Sequence, residues 1–430
     1  MNRPNILYLH SHDTGRHTQP YGAPVETPAI QRLATEGILF RQAFSAAPTC
    51  SPSRAALLTG QSPHSAGMLG LAHRGFSLHD YGQHLLHTLR PHGYSAALFG
   101  MQHIARDPAV IGYDTYWTES TRVERVAPAA VEYLRTVQQP FYLEVGFFET
   151  HRDFPDPGEG PHFCDVPPVL PNTPVTRYDM AGFYAAAREL DRGVDAVLEA
   201  LDTFGLAENT LVIFTTDHGL AFPGAKCTLT DHGIGVALIM RGPGGFRGGQ
   251  ITDALVSQID LFPTLLDLLG IERRPWLQGR SLMPLIRGEA DEVNDAVFAE
   301  VTYHAAYEPQ RAVRTRRYKY IRRFDGRDRP VLPNIDDSPS KSLLLEHGLA
   351  NRPVPEEALY DLVFDPQEAR NVASDLRLFP VLRDMRARLE QWMQATDDPL
   401  LRGPVPLPPG AVANDPDGVS PNEPTSIVGE

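Results

Sequence analysis

Four short apolar runs, each closed by a polar cluster, constrain the fold of this chain more than any other feature. Ile6-Leu7-Tyr8-Leu9 leads into His10-Ser11-His12-Asp13, and Ser95–Phe99 into Gly100-Met101-Gln102-His103. Phe141–Phe148 leads into Glu149-Thr150-His151-Arg152, and Leu211-Val212-Ile213-Phe214 into Thr215-Thr216-Asp217-His218-Gly219. Runs of this length read as strands buried on both faces, the pattern of a parallel sheet covered by helices. Helical stretches between them supply the cover: Ala181–Leu201 carries Phe183, Ala187, Leu190, Val194 and Val197 at helical spacing. Ligands of such sheets gather beyond the carboxyl ends of the strands. Four strand ends therefore deliver His and Asp to one edge.

The expected class is α/β. A large, mostly parallel central sheet sandwiched by helices spans residues 1–295, and a smaller C-terminal α+β domain spans 296–398. Asp260–Leu269 reads as a helix entered through Ser257-Gln258-Ile259. In the smaller domain Ala312–Arg323 alternates like one strand, followed by a hairpin and the amphipathic helix Leu378–Ala395. Residues 399–430 read as an extended or mobile, Pro/Gly-rich tail. Thr150–Arg177 is polar and rich in Pro and Gly; a loop this long in a compact domain is a candidate substrate-facing wall.

A net charge of −14 and a pI near 5.6 argue against a nucleic-acid partner. They leave room for a small anionic substrate, because a few local cations define a pocket's sign. No apolar run reaches 18 residues, so no membrane span is expected, and Met1-Asn2-Arg3-Pro4 runs straight into the first strand without a leader. Cys50, Cys164 and Cys227 are too few for a disulfide framework and lack zinc-ligand spacing, which fits a cytoplasmic, reducing location.

The run Cys50-Ser51-Pro52-Ser53-Arg54-Ala55-Ala56-Leu57-Leu58-Thr59-Gly60 carries the chemistry. Pro52 suits a first helical turn, Ser51 or Cys50 can cap it, and Ala55–Leu58 extend it. Cys50 then sits where free N–H groups and the helix dipole favour negative charge, with Arg54 one turn on. By themselves these residues also describe a capped helix with a buried cysteine. The complete string resembles the sulfatase signature, Cys-x-Pro-Ser-Arg followed by Leu-Thr-Gly. The resemblance continues through Pro4-Asn5-Ile6-Leu7, Thr27-Pro28, Asp217-His218-Gly219, Leu359-Tyr360-Asp361, Asp365-Pro366 and Asn371. Ser65–Leu71, His151-Arg152, Phe222-Pro223 and Thr396-Asp397-Asp398-Pro399 are similar to the N-sulfoglucosamine sulfohydrolase branch.

The resemblance implies a sulfuric ester hydrolase of the alkaline-phosphatase-like superfamily. Cys50 is oxidised to formylglycine by a separate activating enzyme. A hydroxyl of the hydrated aldehyde attacks sulfur to form a covalent sulfated intermediate, and loss of the second hydroxyl's proton expels sulfate. One divalent metal ion, Ca²⁺ or Mn²⁺ ahead of Zn²⁺ or Fe²⁺, is held by His12, Asp13, Asp217 and His218. Arg54 orients the hydrated aldehyde and His103 assists breakdown of the intermediate. His151 and Lys226 bind the sulfuryl group or protonate the leaving atom. Arg152, His232, His304 and His73 are candidate substrate contacts, and a homodimer is common in the resembled branch.

Three departures qualify that reading. Sulfatases have paired aspartates where this chain has His12-Asp13, Asp-Asn where it has Asp217-His218, and Gly-Lys-x-His where it has Gly100-Met101-Gln102-His103. The added imidazoles suit Mn²⁺, Zn²⁺ or Fe²⁺ better than hard Ca²⁺, and the missing lysine removes a cation. Two alternatives follow: a phosphodiester or phosphonate monoester hydrolase of the same superfamily, and a non-catalytic anion-binding relative.

Overall fold

The computed structural model describes residues 3–158 and 160–427. Ten strands belong to the N-terminal part: β1 (Asn5–Ser11), β2 (Ile38–Phe40), β3 (Ala43–Phe44), β4 (Ser95–Gly100), β5 (Thr115–Trp117), β6 (Phe141–Gly146), β7 (Thr210–Thr216), β8 (Leu238–Arg241), β9 (Gln250–Thr252) and β10 (Val256–Ser257). Eight of them form one sheet in the order β5-β4-β6-β1-β7-β8-β2-β9, while β3 pairs with β10. All neighbours in the large sheet are parallel except those of β8, which runs antiparallel to both β7 and β2.

The continuous apolar runs follow from double-sided burial. In β1, Ile6 and Tyr8 enter the core on one face, and Leu7 and Leu9 the core on the other. β7 divides the same way, Leu211 and Ile213 against Val212 and Phe214. The helix Pro174–Thr203 covers the second face through Leu190, Val194, Val197 and Leu201. It starts earlier than its apolar spacing predicts, because Thr173 and Thr176 form a capping box and Pro174 takes the first helical position. Accordingly Thr150–Arg177 is irregular only as far as its Thr173 cap, apart from a 3₁₀ turn at Gly160–Phe163.

Register sets the site. Gly100 pairs with Gly146, Gly146 with His10, and His10 with Thr215, so four adjacent strands end level. Gly146 is obligatory here, since a Cβ would stand 2.0 Å from the Met101 carbonyl and 2.4 Å from the His10 ring.

Beyond residue 295, β11 (Ala296–Tyr303), β12 (Tyr307–Thr315), β13 (Tyr318–Arg323) and β14 (Glu357–Asp361) form an antiparallel sheet in chain order. The segment Ala312–Arg323 is thus not one strand. It turns at Arg316-Arg317, where the Tyr318 amide donates to Thr315 Oγ1 and the Thr315 hydroxyl to the Tyr318 carbonyl. Helix Phe379–Ala395 lays Leu382, Met385, Leu389 and Met393 on this sheet. The stretch after Pro399 is tied down rather than free. β15 (Val412–Asn414) pairs with β16 (Thr425–Ile427), Ala411 and Ala413 are buried, and Arg74 donates to Asn414. Among the described residues no helix is long and apolar enough to cross a membrane.

Asp398 fixes the end of the last long helix against β12. Its two oxygens accept from Arg311 Nε at 2.6 Å and Nη2 at 3.0 Å, and Arg311 is fully buried. Asp398→Ala leaves that guanidinium only Glu300, 3.9 Å away, as a charged partner, and urea denaturation is expected to show a loss of about 3–5 kcal/mol. Asp384→Ala, which breaks the exposed pair with Arg388, is expected to leave the transition almost unmoved. Equal midpoints for the two variants would refute this assignment.

Candidate active site

The level strand ends bring the predicted donors into one cluster. His12 and Asp13 follow β1, Asp217 and His218 follow β7, and Cys50 opens the helix Cys50–Thr59. The N-cap of that helix is Thr49, one residue before the expected position, and no side chain caps it. The ligand atoms of His12, Asp13, Cys50, Asp217 and His218 all lie within 4.8 Å of one another, and all five residues are buried. His12 Nδ1 stands 2.8 Å from Asp13 Oδ1 and 3.3 Å from Asp217 Oδ2. His218 Nε2 stands 3.1 Å from Asp13 Oδ1 and 3.3 Å from Cys50 Sγ.

This donor set fits a divalent cation. The His218 Nδ1–H group donates to the Gly219 carbonyl at 2.9 Å, which fixes the tautomer and leaves Nε2 as a bare lone pair. That lone pair faces a carboxylate oxygen, an arrangement of two acceptors that a cation between them resolves. Burial pulls His12 down to about 4, with Asp217 and Asp13 opposing, so it stands neutral and its Nε2 has no partner. Burial pushes the Asp13 and Asp217 carboxyls up, but neighbouring groups outweigh it and hold both well below their ordinary values: Lys226, then His12, for Asp13, and His12, His218 and Arg54 for Asp217, with Lys226 and Arg54 the charged ones at neutral pH. Burial, helped by these two carboxylates, raises the Cys50 thiol well above its ordinary value although Lys226 and Arg54 oppose it.

Two cations flank the cluster. Arg54 donates from Nη2 to Asp217 Oδ2 at 3.0 Å and to the Ser11 carbonyl at 2.9 Å. Its Nη1 donates to His10 Nδ1, so His10 Nε2 carries the proton given to Glu144 Oε1 at 3.0 Å. Glu144 also accepts from Tyr113 at 2.6 Å and Tyr142 at 3.1 Å, completing a buried chain beneath Arg54. Lys226 Nζ lies 3.0 Å from both Asp13 Oδ2 and Asp336 Oδ2.

The remaining predicted residues divide. His151 borders the cluster, Nε2 3.8 Å from Asp13 Oδ2, and at 26% side-chain exposure it marks the solvent side. His103 lies beside His12, ring centroids 5.9 Å apart, and stacks on His73 with a 2.9 Å hydrogen bond between them. His304 is buried near Lys226; burial first and then that lysine press its imidazole well below the ordinary value. Arg152 is not delivered to the cluster. Its guanidinium is held by both oxygens of Asp179, at 2.6 and 2.8 Å, and packs over Phe154 and Phe222. His232 lines a separate cleft with Arg16 and His17. Sequence reasoning missed Asp336, which sits in an irregular polar stretch without a pattern. It also passed over Glu144, although a carboxylate inside the apolar run Phe141–Phe148 was a readable signal.

The sulfatase family model matches residues 4–271, and the model of the N-sulphoglucosamine sulphohydrolase C-terminal region matches residues 224–343. The chain is 30% identical to the N-sulphoglucosamine sulphohydrolase of Homo sapiens, over 93% of this chain and 92% of that one. It is also 30% identical to an ulvan-active sulfatase of Formosa agariphila, over 94% and 83% of the two chains. A structure solved in complex with its substrate D-glucosamine-2-N,6-O-disulfate superposes with a TM-score of 0.75 at 18% identity, covering 94% of this chain and 99% of that one. With the mostly parallel sheet and the signature run from Cys50, these matches place the chain in the sulfatase family, as a sulfuric ester hydrolase.

Proposed function

We propose that the protein hydrolyses a sulfate ester or sulfamate on a small, sugar-like substrate, with position 50 as formylglycine and one divalent metal ion held by His12, Asp13, Asp217 and His218. The observation that carries this reading is the convergence of Cys50 Sγ with two carboxylates and two imidazoles inside 4.8 Å. An unmodified Cys50 with its thiol pushed up holds its proton at neutral pH and makes a poor nucleophile. The hydrated formylglycine supplies the attacking hydroxyl, and the metal a Lewis acid for the sulfuryl oxygens.

The chain's own residues supply the rest. Lys226 stays charged, since Asp13 and Asp336 raise it well above its ordinary value against burial, and it offers that charge to an anionic sulfuryl group. Arg54 is locked by Asp217, Ser11 and His10, so its placement costs nothing at the moment of reaction. His103 is held through Nε2 by His73, and its Nδ1 has no partner, which makes Nδ1 the atom that takes or gives a proton. His151 gives its Nδ1 proton to the Arg152 carbonyl at 2.6 Å and holds Nε2 3.8 Å from Asp13 Oδ2, so this half-exposed ring can serve a leaving atom at the edge of the cluster. The three free cysteines support a reducing, cytoplasmic setting; a formylglycine at position 50 requires an activating enzyme as a maturation partner, and the assembly proposed is a homodimer.

Cys50→Ala is expected to abolish turnover of an aryl sulfate. Mass spectrometry of the Cys50 peptide from active protein should show the mass loss of thiol-to-aldehyde conversion. Persistent turnover in the variant would sink the mechanism. On paired aryl sulfate and aryl phosphodiester substrates, kcat/KM should favour the sulfate. The imidazoles of His12 and His218 and the apolar Met101 supply the reason to run that comparison, and a phosphodiester preference transfers the same site to phosphorus. His12→Ala should weaken the stabilisation by Mn²⁺ or Ca²⁺, followed as a shift in Tm, by roughly 10–100-fold in metal concentration; an unchanged titration removes His12 from the ligand set.

A further inference from the structure

A second concentration of positive charge lies away from the catalytic cluster. A cleft of about 470 Å³ opens between the two sheets, lined among others by Arg16, His17, Asp231, His232, Arg314 and Gln367. Its floor is built from the segments that hold the catalytic donors. Gly15 follows Asp13 by two residues and donates its amide N–H to the His218 carbonyl, while the Gly219 amide donates to the Gly233 carbonyl.

Arg16 and Arg314 both place their guanidinium carbon 4.5 Å from the centre of the Phe44 ring. Two like charges on one ring repel, and the fold compensates only one of them directly. Arg314 is paired with Asp231 at 3.1 Å, and Lys319 pairs with the same carboxylate. Arg16 has no carboxylate within ion-pairing distance among the described residues. Its Nη2 donates to the Ala43 carbonyl at 2.7 Å, and its Nε is buried without a partner. Gly235 leaves the room for it, since a Cβ there would stand 3.1 Å from the guanidinium carbon. His17 Nδ1 and His232 Nε2 are likewise buried without partners. The rim charges are already paired, Asp253 with Arg41 and Arg316 with Glu292. A half-buried cation that shares the field of the single Asp231 carboxylate with Arg314 and Lys319, beside two orphaned imidazole nitrogens, lacks one thing, an anion that accepts hydrogen bonds from several directions.

We infer that this cleft is a second anion site, separate from the catalytic centre, that takes a sulfate-type oxyanion on Arg16, His17 and His232. Arg16 and His17 follow β1 and His232 lies between β7 and β8, so all three come from the connections of the large sheet, with Arg314 at the end of β12 facing the same cleft. The inference stands on these residues and does not depend on which ester the catalytic centre cleaves.

The test is a wild-type crystal soaked in selenate, whose anomalous scattering marks each bound anion. A peak in the cleft within hydrogen-bond reach of Arg16 is expected, and its loss in Arg16→Gln. Arg16→Gln should keep aryl-sulfate turnover within about two-fold and weaken the cleft phase of a calorimetric sulfate titration by roughly ten-fold or more. A sulfated disaccharide that binds the cleft more tightly than inorganic sulfate marks a glycan-borne group; equal affinity marks the free ion. No peak in the wild type, a peak that Arg16→Gln leaves in place, or a second copy of the chain filling the cleft overturns the inference. The wild-type soak decides the matter alone should Arg16→Gln not fold.

Discussion

Asp13 and Asp217 are two ionised carboxylates shielded from solvent, and most of the centre exists to make that arrangement stable. Like charges a few ångströms apart repel by about 4 kcal/mol even at an effective dielectric constant of 20. Arg54 grips Asp217 and Lys226 grips Asp13. Each cation is itself anchored by a further acid, Arg54 through His10 to Glu144 and Lys226 directly to Asp336. Carboxylates still outnumber cations around the cluster, so a metal cation is the charge this geometry suits. Adding it also turns the centre towards the sign that an anionic sulfuryl group requires.

The same economy explains why the departures from the family pattern are tolerated. A neutral imidazole at position 12 or 218 keeps a lone-pair donor in the cluster while adding no further negative charge to an acidic interior. The cation missing at Met101 is not restored by a lysine. His103 instead leans on His73, a stacked pair that fixes ring orientation without fixed charge. Lys226 is then the one lysine paired with either central carboxylate among the described residues.

Much of this was legible in the chain. The four apolar runs read correctly as adjacent buried strands, because double-sided burial leaves no alternation to confuse them. Their closing residues gave His12, Asp13, Asp217 and His218, and the run from Cys50 gave the cysteine and the arginine that the fold brings beside them. Short-range rules failed where a distant contact decided the outcome. Ala312–Arg323 alternates throughout, yet Thr315 folds it into a hairpin through side-chain bonds that periodicity does not register. The Pro/Gly composition after residue 399 suggested freedom, but Arg74 and a core pocket for Ala411 and Ala413 hold that segment.

The sequence by itself determined the fold class, the family and the chemical types present at the strand ends, because those follow from local burial patterns and a contiguous signature. Only the tertiary structure decided which of those groups meet. Arg152 follows His151 directly, yet pairs with Asp179 and is withheld from the cluster. Asp336 lies 110 residues beyond Lys226 and is brought against it. Strand register, set by cross-strand hydrogen bonds and by Gly146 making room for its neighbours, is the physical reason. It levels four chain segments to within a residue, and no single segment carries that information.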